Sequence, residues 1–342
     1  MKSIKSYKKE NKLFIYIRIE SYLKNRYQFV QIGTNKSQYI NIKCGVPQGS
    51  ILGPILFILY INDLPNASET LEFQMFADDT VISIKGKDPN LLTNLFNEEL
   101  KNIVNWLKHN KLILNLNKTK CMYFHTPRPK KLDVKRSIVI DGFNIEKVES
   151  FKYLGIAIDE HLNWKSHIDN LATKLNKSLA ILRKIRIETG IKPLRSIYYA
   201  LFNSIAKYGI LAWGNCAPTH IEKLQKKCIK LTKNALDPEK KILSIRDQYV
   251  YSLVMYFFKS KMEVYPTDLW IDLKIITKQT IYETRSKTPY LPKIRTNYGK
   301  RAASYYYSKF FNIINELEEN NKTTSKFKKC LIENLPELIK TL

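Results

Sequence analysis

The chain has 342 residues, 44% of them apolar and 26% charged, a globular composition long enough for a substantial core and for more than one domain. Lys and Arg number 57 against 31 Asp and Glu; the formal charge of +26 favours polyanionic partners, although a lysine-rich, AT-biased coding sequence accounts for the same surplus. Five cysteines, at 44, 121, 216, 228 and 330, are odd in number and widely spaced, which argues against a disulfide framework or zinc knuckle and for a reducing compartment, nuclear or cytoplasmic.

Met1–Glu10 reads as a lead-in, and Leu13–Tyr22 as a short helix or strand. The opening is basic and lacks the long apolar core of a signal peptide. Tyr27–Ile32 and Gln38–Ile42 have strand composition around a turn at Gly33–Lys36. Gly45, Pro47 and Gly49 then punctuate a loop whose backbone can approach a ligand closely. Ser50 is placed to cap a helix that tolerates Pro54 in its first turns. Ile55–Ile61 is apolar nearly all round, so this helix is expected to be buried, and it is too short to span a membrane. Pro65 stops it.

Leu71–Phe76 and Thr80–Ile84 read as strands flanking Ala77-Asp78-Asp79, which puts two acids on a tight turn. Adjacent carboxylates repel, and a hard divalent cation with oxygen preference relieves that cost. Acid pairs are also common in solvated turns, and spacing alone leaves both readings open.

Asp88-Pro89 opens a helix over Asn90–Asn110 with an apolar stripe of Leu91, Leu92, Leu95, Leu100, Val104 and Leu107; Trp106 reads as packing. After Leu112–Asn115 come a turn at Asn117–Thr119 and a strand at Cys121–Phe124. Pro127–Arg136 is a basic linker, and Ser137–Ile140 and Phe143–Val148 bracket the hairpin turn Asp141-Gly142. From Trp164 the pattern turns helical: Trp164–Arg186 with Ile168, Leu171, Leu175, Leu179 and Leu182 at helical spacing, then Pro193–Tyr208, Ile221–Thr232 and a terminal helix over Phe327–Leu342. Lys and Arg are interleaved throughout, a pattern suited to phosphate contacts. Tyr305-Tyr306-Tyr307 fits either base stacking or helix packing.

Two ordered motifs carry a resemblance. Gly45-Val46-Pro47-Gln48-Gly49-Ser50 with Leu52-Gly53-Pro54, followed by Phe76-Ala77-Asp78-Asp79, resembles the reverse transcriptase palm of non-long-terminal-repeat retrotransposons of the jockey-like group. Further matches are Leu114-Asn115 with Lys118-Thr119, Phe151–Ile156 (FKYLGI), Glu160–Trp164 (EHLNW), Tyr208–Gly214 (YGILAWG) and Leu224–Lys230 (LQKKCIK). Thr284–Ser286 and Arg295–Lys300 resemble the tail of these elements.

The resemblance implies an α+β fold: a partial polymerase palm, an antiparallel sheet with covering helices, then a mostly helical thumb and C-terminal region. The boundaries it suggests are a lead-in at 1–21, palm at 22–160, thumb at 161–235 and a helical region at 236–342. It implies RNA-directed DNA polymerisation with Mg2+, or Mn2+, held by Asp78 and Asp79. Pro47, Gln48, Gly49, Ser50, Phe76 and Ala77 would line the template and incoming-nucleotide site. Lys118 would stand near the triphosphate, with Lys120 a competitor for that role. Lys152, Tyr153, Leu154 and Gly155 would contact the primer; a packed sheet residue remains the other reading of Tyr153. The implied partners are RNA template, DNA primer and dNTPs, with no membrane and no cofactor nucleotide.

One departure matters. The family places another catalytic Asp well upstream, in a sequence such as FxDxxKAFD, and here no Asp precedes Asp63. The expectation is a fragment that begins inside the palm, without fingers, and is catalytically inactive by itself. A residual nucleic-acid-binding module or a transposon remnant is the alternative.

Overall fold

The computed structural model describes residues 17–43, 45–127, 134–189, 193–216, 219–232, 242–262, 305–306, 309–310, 314–317 and 324–340. Met1–Glu10, Cys44, much of the Pro127–Arg136 linker, Thr284–Ser286, Arg295–Lys300 and Tyr307 lie outside the described residues. The fold is mixed α+β, with small, mostly antiparallel two-stranded sheets and extensive helix. It divides into two units: Met1–Cys121 with Lys131–Lys147, and Met122–Lys130 with Val148–Leu342.

The first unit opens with a helix over residues 17–23, α1, so the helix-or-strand alternative resolves to helix where it is described. The expected hairpin forms as two short antiparallel ladders, with its turn confined to Gly33-Thr34 because Asn35–Lys36, expected in the turn, is itself paired. Tyr27–Gln28 (β1) pairs with Ile40–Asn41 (β4), and Gln31–Ile32 (β2) pairs with Asn35–Lys36 (β3). The Ser37 hydroxyl accepts from the Val30 N–H at 2.9 Å, bridging the interval between the ladders.

Helix α2, Leu52–Ile61, corrects an expectation. Only Gly53 and Ile61 are buried, while Ile55, Ile58, Leu59 and Tyr60 are exposed, Leu59 at 65%. An all-round apolar helix has no distinct face to turn inward. The core of this unit is instead assembled from elements with a clear inner side. In the hairpin β5 (Glu72–Phe76) and β6 (Asp79–Ser83), Phe73, Met75 and Ile82 point inward, and Glu72, Gln74 and Phe76 point outward, the period of two of a half-buried strand. They pack with helix α3, Pro89–His109, whose Leu100 and Ile103 are buried together with Leu64, Leu71, Ile138, Ile140 and Ile145.

Asp88 caps α3 by accepting from the N–H groups of Asn90 and Leu91. Of the stripe read from sequence, α3 keeps Leu100 buried with Val104 and Leu107 packed into the same core, and Ile103 joins them, while Leu91 and Leu95 are exposed. The strand expected at Cys121–Phe124 is confined to Lys120–Cys121 (β7), which pairs in parallel with Glu146–Lys147 (β10). Val139–Ile140 (β8) and Phe143–Asn144 (β9) form the expected hairpin. Positive φ at both Asp141 and Gly142 matches the right-handed twist of such two-residue turns.

The second unit starts from the hairpin β11 (Ser150–Tyr153) and β12 (Ile156–Asp159) and continues as helices. Asp159 turns the chain into α4 (Lys165–Thr189): its carboxylate accepts from the backbone N–H groups of His161, Asn163 and Trp164 at 3.2, 3.0 and 2.8 Å. Leu171, Leu175, Leu179 and Leu182 are buried along one stripe of α4, as their spacing requires. The next helical stretch is continuous but locally widened: α5 (Leu194–Ile197), a π turn at Tyr198–Asn203, and α6 (Ser204–Lys207). Gly209, at φ +60, breaks it before α7 (Ile210–Trp213). Helices α8 (Thr219–Thr232), α9 (Ile245–Lys261) and α10 (Thr324–Lys340) follow, α9 being held at its start by a reciprocal Ser244–Asp247 cap.

Tyr198, Phe202, Trp213, Phe257, Phe310 and Phe327 are fully buried in this core. Tyr306 sits beside it, in ring contact with Tyr249 and Phe310, which favours the packing reading for that tyrosine. No helix among the described residues is long and apolar enough to cross a membrane.

Candidate active site

The loop ahead of α2 is a tight turn. The Ser50 N–H reaches the Pro47 carbonyl at 3.4 Å, and Gly49 lies at φ +83, the value a type II turn demands at its third position. Gln48 is therefore exposed at the tip. The formal cap of α2 is Ile51, but its side chain cannot serve; the Ser50 hydroxyl accepts from the Gly53 N–H at 3.0 Å and donates to the Pro47 carbonyl at 2.8 Å. One serine thus locks the turn to the helix, as its sequence position suggested. Gly53 is required beside it, since a Cβ there would lie 2.8 Å from Ser50 Oγ.

Two further supports were not legible in sequence. The Tyr22 hydroxyl donates to Ser50 Oγ at 2.6 Å, and Arg26 donates to the Gly45 carbonyl at 2.9 Å. Each spans about 20 or more residues of chain, and no local pattern announces it.

Asp78 and Asp79 stand at the end of the β5–β6 hairpin, where Phe76 pairs with Asp79 across a two-residue connection, Ala77-Asp78. Ala77 takes φ +52, a left-handed conformation that favours glycine and costs an L-residue roughly 1–2 kcal/mol. Strain of this kind recurs where a chain must aim particular side chains. Both carboxylates are exposed, and among the described residues neither forms an ion pair with Lys or Arg. Oxygen-only donors, adjacent and without a counter-charge, fit a hard divalent ion that keeps part of its water shell.

The competing lysines separate. Lys120 is committed to Glu146 in an ion pair, whereas Lys118 is exposed and its backbone N–H is fixed by Asn115.

Lys152–Gly155 belongs to the second unit. Leu154 and Gly155 form the β11–β12 turn, with φ of +45 and +82. The close approach that Gly155 permits is to the ring of Tyr208: a Cβ would lie 3.3 Å from it, and the Tyr208 hydroxyl donates to the Leu154 carbonyl at 2.6 Å. The FKYLG and YGILAWG segments are thus joined in space. Lys152 remains exposed, and Tyr153 is half-buried.

Helix α8 is amphipathic in a different sense. Ile221, Leu224, Gln225 and Cys228 face inward, while Lys223, Lys226, Lys227 and Lys230 are exposed and, with His220, line a shallow surface pocket. Burial pushes the Cys228 thiol up to about 12, so it is an inert packing group. Gln225 was overlooked in sequence because it sits among lysines. Its amide donates to the Tyr198 hydroxyl and the Leu243 carbonyl at 3.0 and 2.9 Å, and its oxygen accepts from the Ile245 N–H at 3.0 Å. This buried hub fixes the outward orientation of the basic face.

Comparison with known proteins gives a consistent picture. Residues 2–158 match the family described as "Reverse transcriptase (RNA-dependent DNA polymerase)". The chain is 26% identical over 218 residues to a Drosophila melanogaster protein named "Probable RNA-directed DNA polymerase from transposon X-element", covering 60% of this chain and 23% of that protein. It is 26% identical over 223 residues to the "RNA-directed DNA polymerase from mobile element jockey" of the same organism, covering 62% and 24%. A Nasonia vitripennis "Retrovirus-related Pol polyprotein from type-1 retrotransposable element R1" is 27% identical over 180 residues, covering 49% and 52%. The chain spans about a quarter of the length of the first two relatives. No solved structure matches.

Proposed function

We propose, from this homology to the reverse transcriptases of jockey- and R1-like non-LTR retrotransposons, that the chain is part of an RNA-directed DNA polymerase. The observation that carries the reading is that residues 2–158 contain both a locked Gln48 turn and, at Asp78-Asp79, an acidic hairpin without an ion-pair partner among the described residues. Asp78 is the principal magnesium ligand and Asp79 its support. Magnesium bound there would activate the primer 3′-oxygen and stabilise the departing pyrophosphate. Pro47, Gln48, Gly49 and Ser50 shape the template and nucleotide site, and Phe76 and Ala77 form its floor beside the acids. Lys118 offers its ammonium to the triphosphate, where a positive charge stabilises the leaving group. Lys152–Gly155 contacts the primer, and the exposed lysines of α8 hold duplex phosphates.

Polymerases of this type use a further Asp, and this chain has none before Asp63. On its own, therefore, the chain binds primer–template without extending it. Filter binding across a salt series, combined with a primer-extension assay in Mg2+, tests both statements. Binding should weaken steeply with salt, in proportion to the phosphates contacted. Absence of binding at low salt overturns the reading; robust synthesis abolished by Asp78→Asn would retain the polymerase assignment and overturn the inactivity. A nucleic-acid-binding module without polymerase ancestry of function is the second reading, favoured by the +26 balance and the α8 face. It is distinguished by binding that is indifferent to Mg2+ and to Asp78→Asn.

A further inference from the structure

Outside the acidic hairpin, one cluster of metal-ligating side chains stands apart among the described residues of the second unit. His125, Glu160 and His161 each offer a ligand atom, and the three atoms lie within 4.8 Å of one another. We propose that these residues bind a borderline divalent transition-metal ion, Zn2+ by preference, which ties the 122–126 segment to the corner that leads into α4.

The orientation of the imidazoles is the first argument. His125 Nδ1 lies 2.7 Å from the Thr126 carbonyl oxygen, and His161 Nδ1 lies 3.1 Å from the His125 carbonyl oxygen. A carbonyl only accepts, so each Nδ1 carries a proton, and in the neutral imidazole this leaves the Nε2 lone pair for a metal. This is the outer-shell arrangement that fixes tautomer and ring direction in metal-bound histidines. Both Nε2 atoms face one carboxylate: His125 Nε2 is 3.6 Å from Glu160 Oε2, and His161 Nε2 is 3.6 Å from Glu160 Oε1.

That separation is the second argument. It is too long for a hydrogen bond. Each pair is close to the roughly 3.3 Å expected between ligand atoms of a tetrahedral ion with bonds of about 2.0–2.1 Å. Because the two imidazoles meet different carboxylate oxygens, a bound ion would draw the three ligand atoms, which lie within 4.8 Å of one another, closer together. The groups are also held in place. The His125 N–H donates to the Glu160 carbonyl at 3.2 Å, the Glu160 N–H to the Glu149 carbonyl at 2.9 Å, and the His161 N–H to Asp159 at 3.2 Å. The rings meet edge to face with centroids 4.6 Å apart. The side chains are only 11%, 18% and 25% exposed for His125, Glu160 and His161, and among the described residues no Lys or Arg pairs with Glu160.

The donor set decides the ion. Two imidazole nitrogens and one carboxylate suit zinc and its first-row neighbours and disfavour magnesium, whose preference is for oxygen. Three protein ligands leave a fourth position for water. The site is thus chemically distinct from Asp78-Asp79 and does not depend on the polymerase reading.

The test uses the full, untagged chain, stripped with chelator and desalted. Titration with Co2+ should give visible ligand-field absorption saturating at one equivalent and displaced by Zn2+; calorimetry with Zn2+ should give the same stoichiometry. His125→Ala, His161→Ala and the nearly isosteric Glu160→Gln should each weaken Zn2+ binding at least tenfold, the effect expected for loss of a ligand or its support. Asp78→Asn should leave the affinity unchanged. Circular dichroism checks that the variants fold, and the wild-type Co2+ spectrum stands whether or not they do. No saturable binding by the wild-type chain overturns the proposal and leaves a plain His–Glu cluster. So does binding that survives His125→Ala/His161→Ala, or that is lost in Asp78→Asn.

Discussion

In the first unit α2 carries Ile55, Ile58 and Leu59 into solvent, whereas in the second α4 hides Leu175 and Leu182 completely. Both helices are rich in apolar residues; they differ in pattern. Helix α4 alternates apolar and basic positions, so one stripe can meet Trp213, Phe202 and Leu224 while lysines keep the other wet. Helix α2 has no polar side, and burying one face still exposes another. The contrast extends to function. The proposed chemical groups sit on exposed turns of a thinly packed unit, and the proposed phosphate-binding groups stand on the outer face of a dense one.

The contrast can be broken most severely at the dense core. Trp213, fully buried with its indole N–H donating to the Tyr208 carbonyl at 3.1 Å, should lose about 3–5 kcal/mol on replacement by Ala. Hydrogen exchange should show that loss in α4 and α7–α9, with β5–β6 protected as before; uniform loss across both units would mean that they fold as one. Gly53→Ala acts on the thin unit. Its Cβ must displace Ser50 Oγ and crowd the Pro47 carbonyl, 2.8 and 3.3 Å away, at a cost of about 1–3 kcal/mol. The expected signature is faster exchange at Ser50 and Gly53 and weaker primer–template binding, while α8 is unaffected.

A smaller effect follows from acid. His167 is buried, its Nδ1 accepts from the Ala157 N–H, and its Nε2 has no partner; burial, and then the nearby charge of Lys174, lower its pKa from 6.5. The unfolded chain therefore takes up the proton first as pH falls. Stability is fully present above pH 6.5 and declines below it. Urea melts of the metal-free chain at about pH 7.5 and about pH 5.5 should show the decline in the second unit, flattened in His167→Gln. The smallest change in stability is expected at the proposed chemical centre. Asp78→Asn removes an exposed, unpaired charge and should shift unfolding by less than about 0.5 kcal/mol, yet abolish Mn2+ binding at the hairpin by paramagnetic relaxation.

Much of the local structure was legible beforehand. The β5–β6 and Asp141-Gly142 hairpins, the Asp88 cap and the buried stripe of α4 follow from alternation, turn chemistry and helical spacing, which act over a few residues. Cys121–Phe124 is the counterexample: its composition suits a strand, but only Lys120–Cys121 finds a partner ladder, and pairing rather than propensity defines a strand. The exposure of α2 was misread because an apolar run states a preference for burial without naming what will cover it.

The sequence by itself determined the order of motifs, the sign of the charge and the positions of the acid pair, since these depend on residue identity and short spacing. Only the tertiary structure decided that Tyr22 secures Ser50, that Tyr208 seats the Gly155 turn, that Gln225 steers the lysines of α8, and that His125 meets Glu160 and His161. Those encounters join residues far apart in the chain, and their partners are chosen by packing geometry, which no local periodicity encodes.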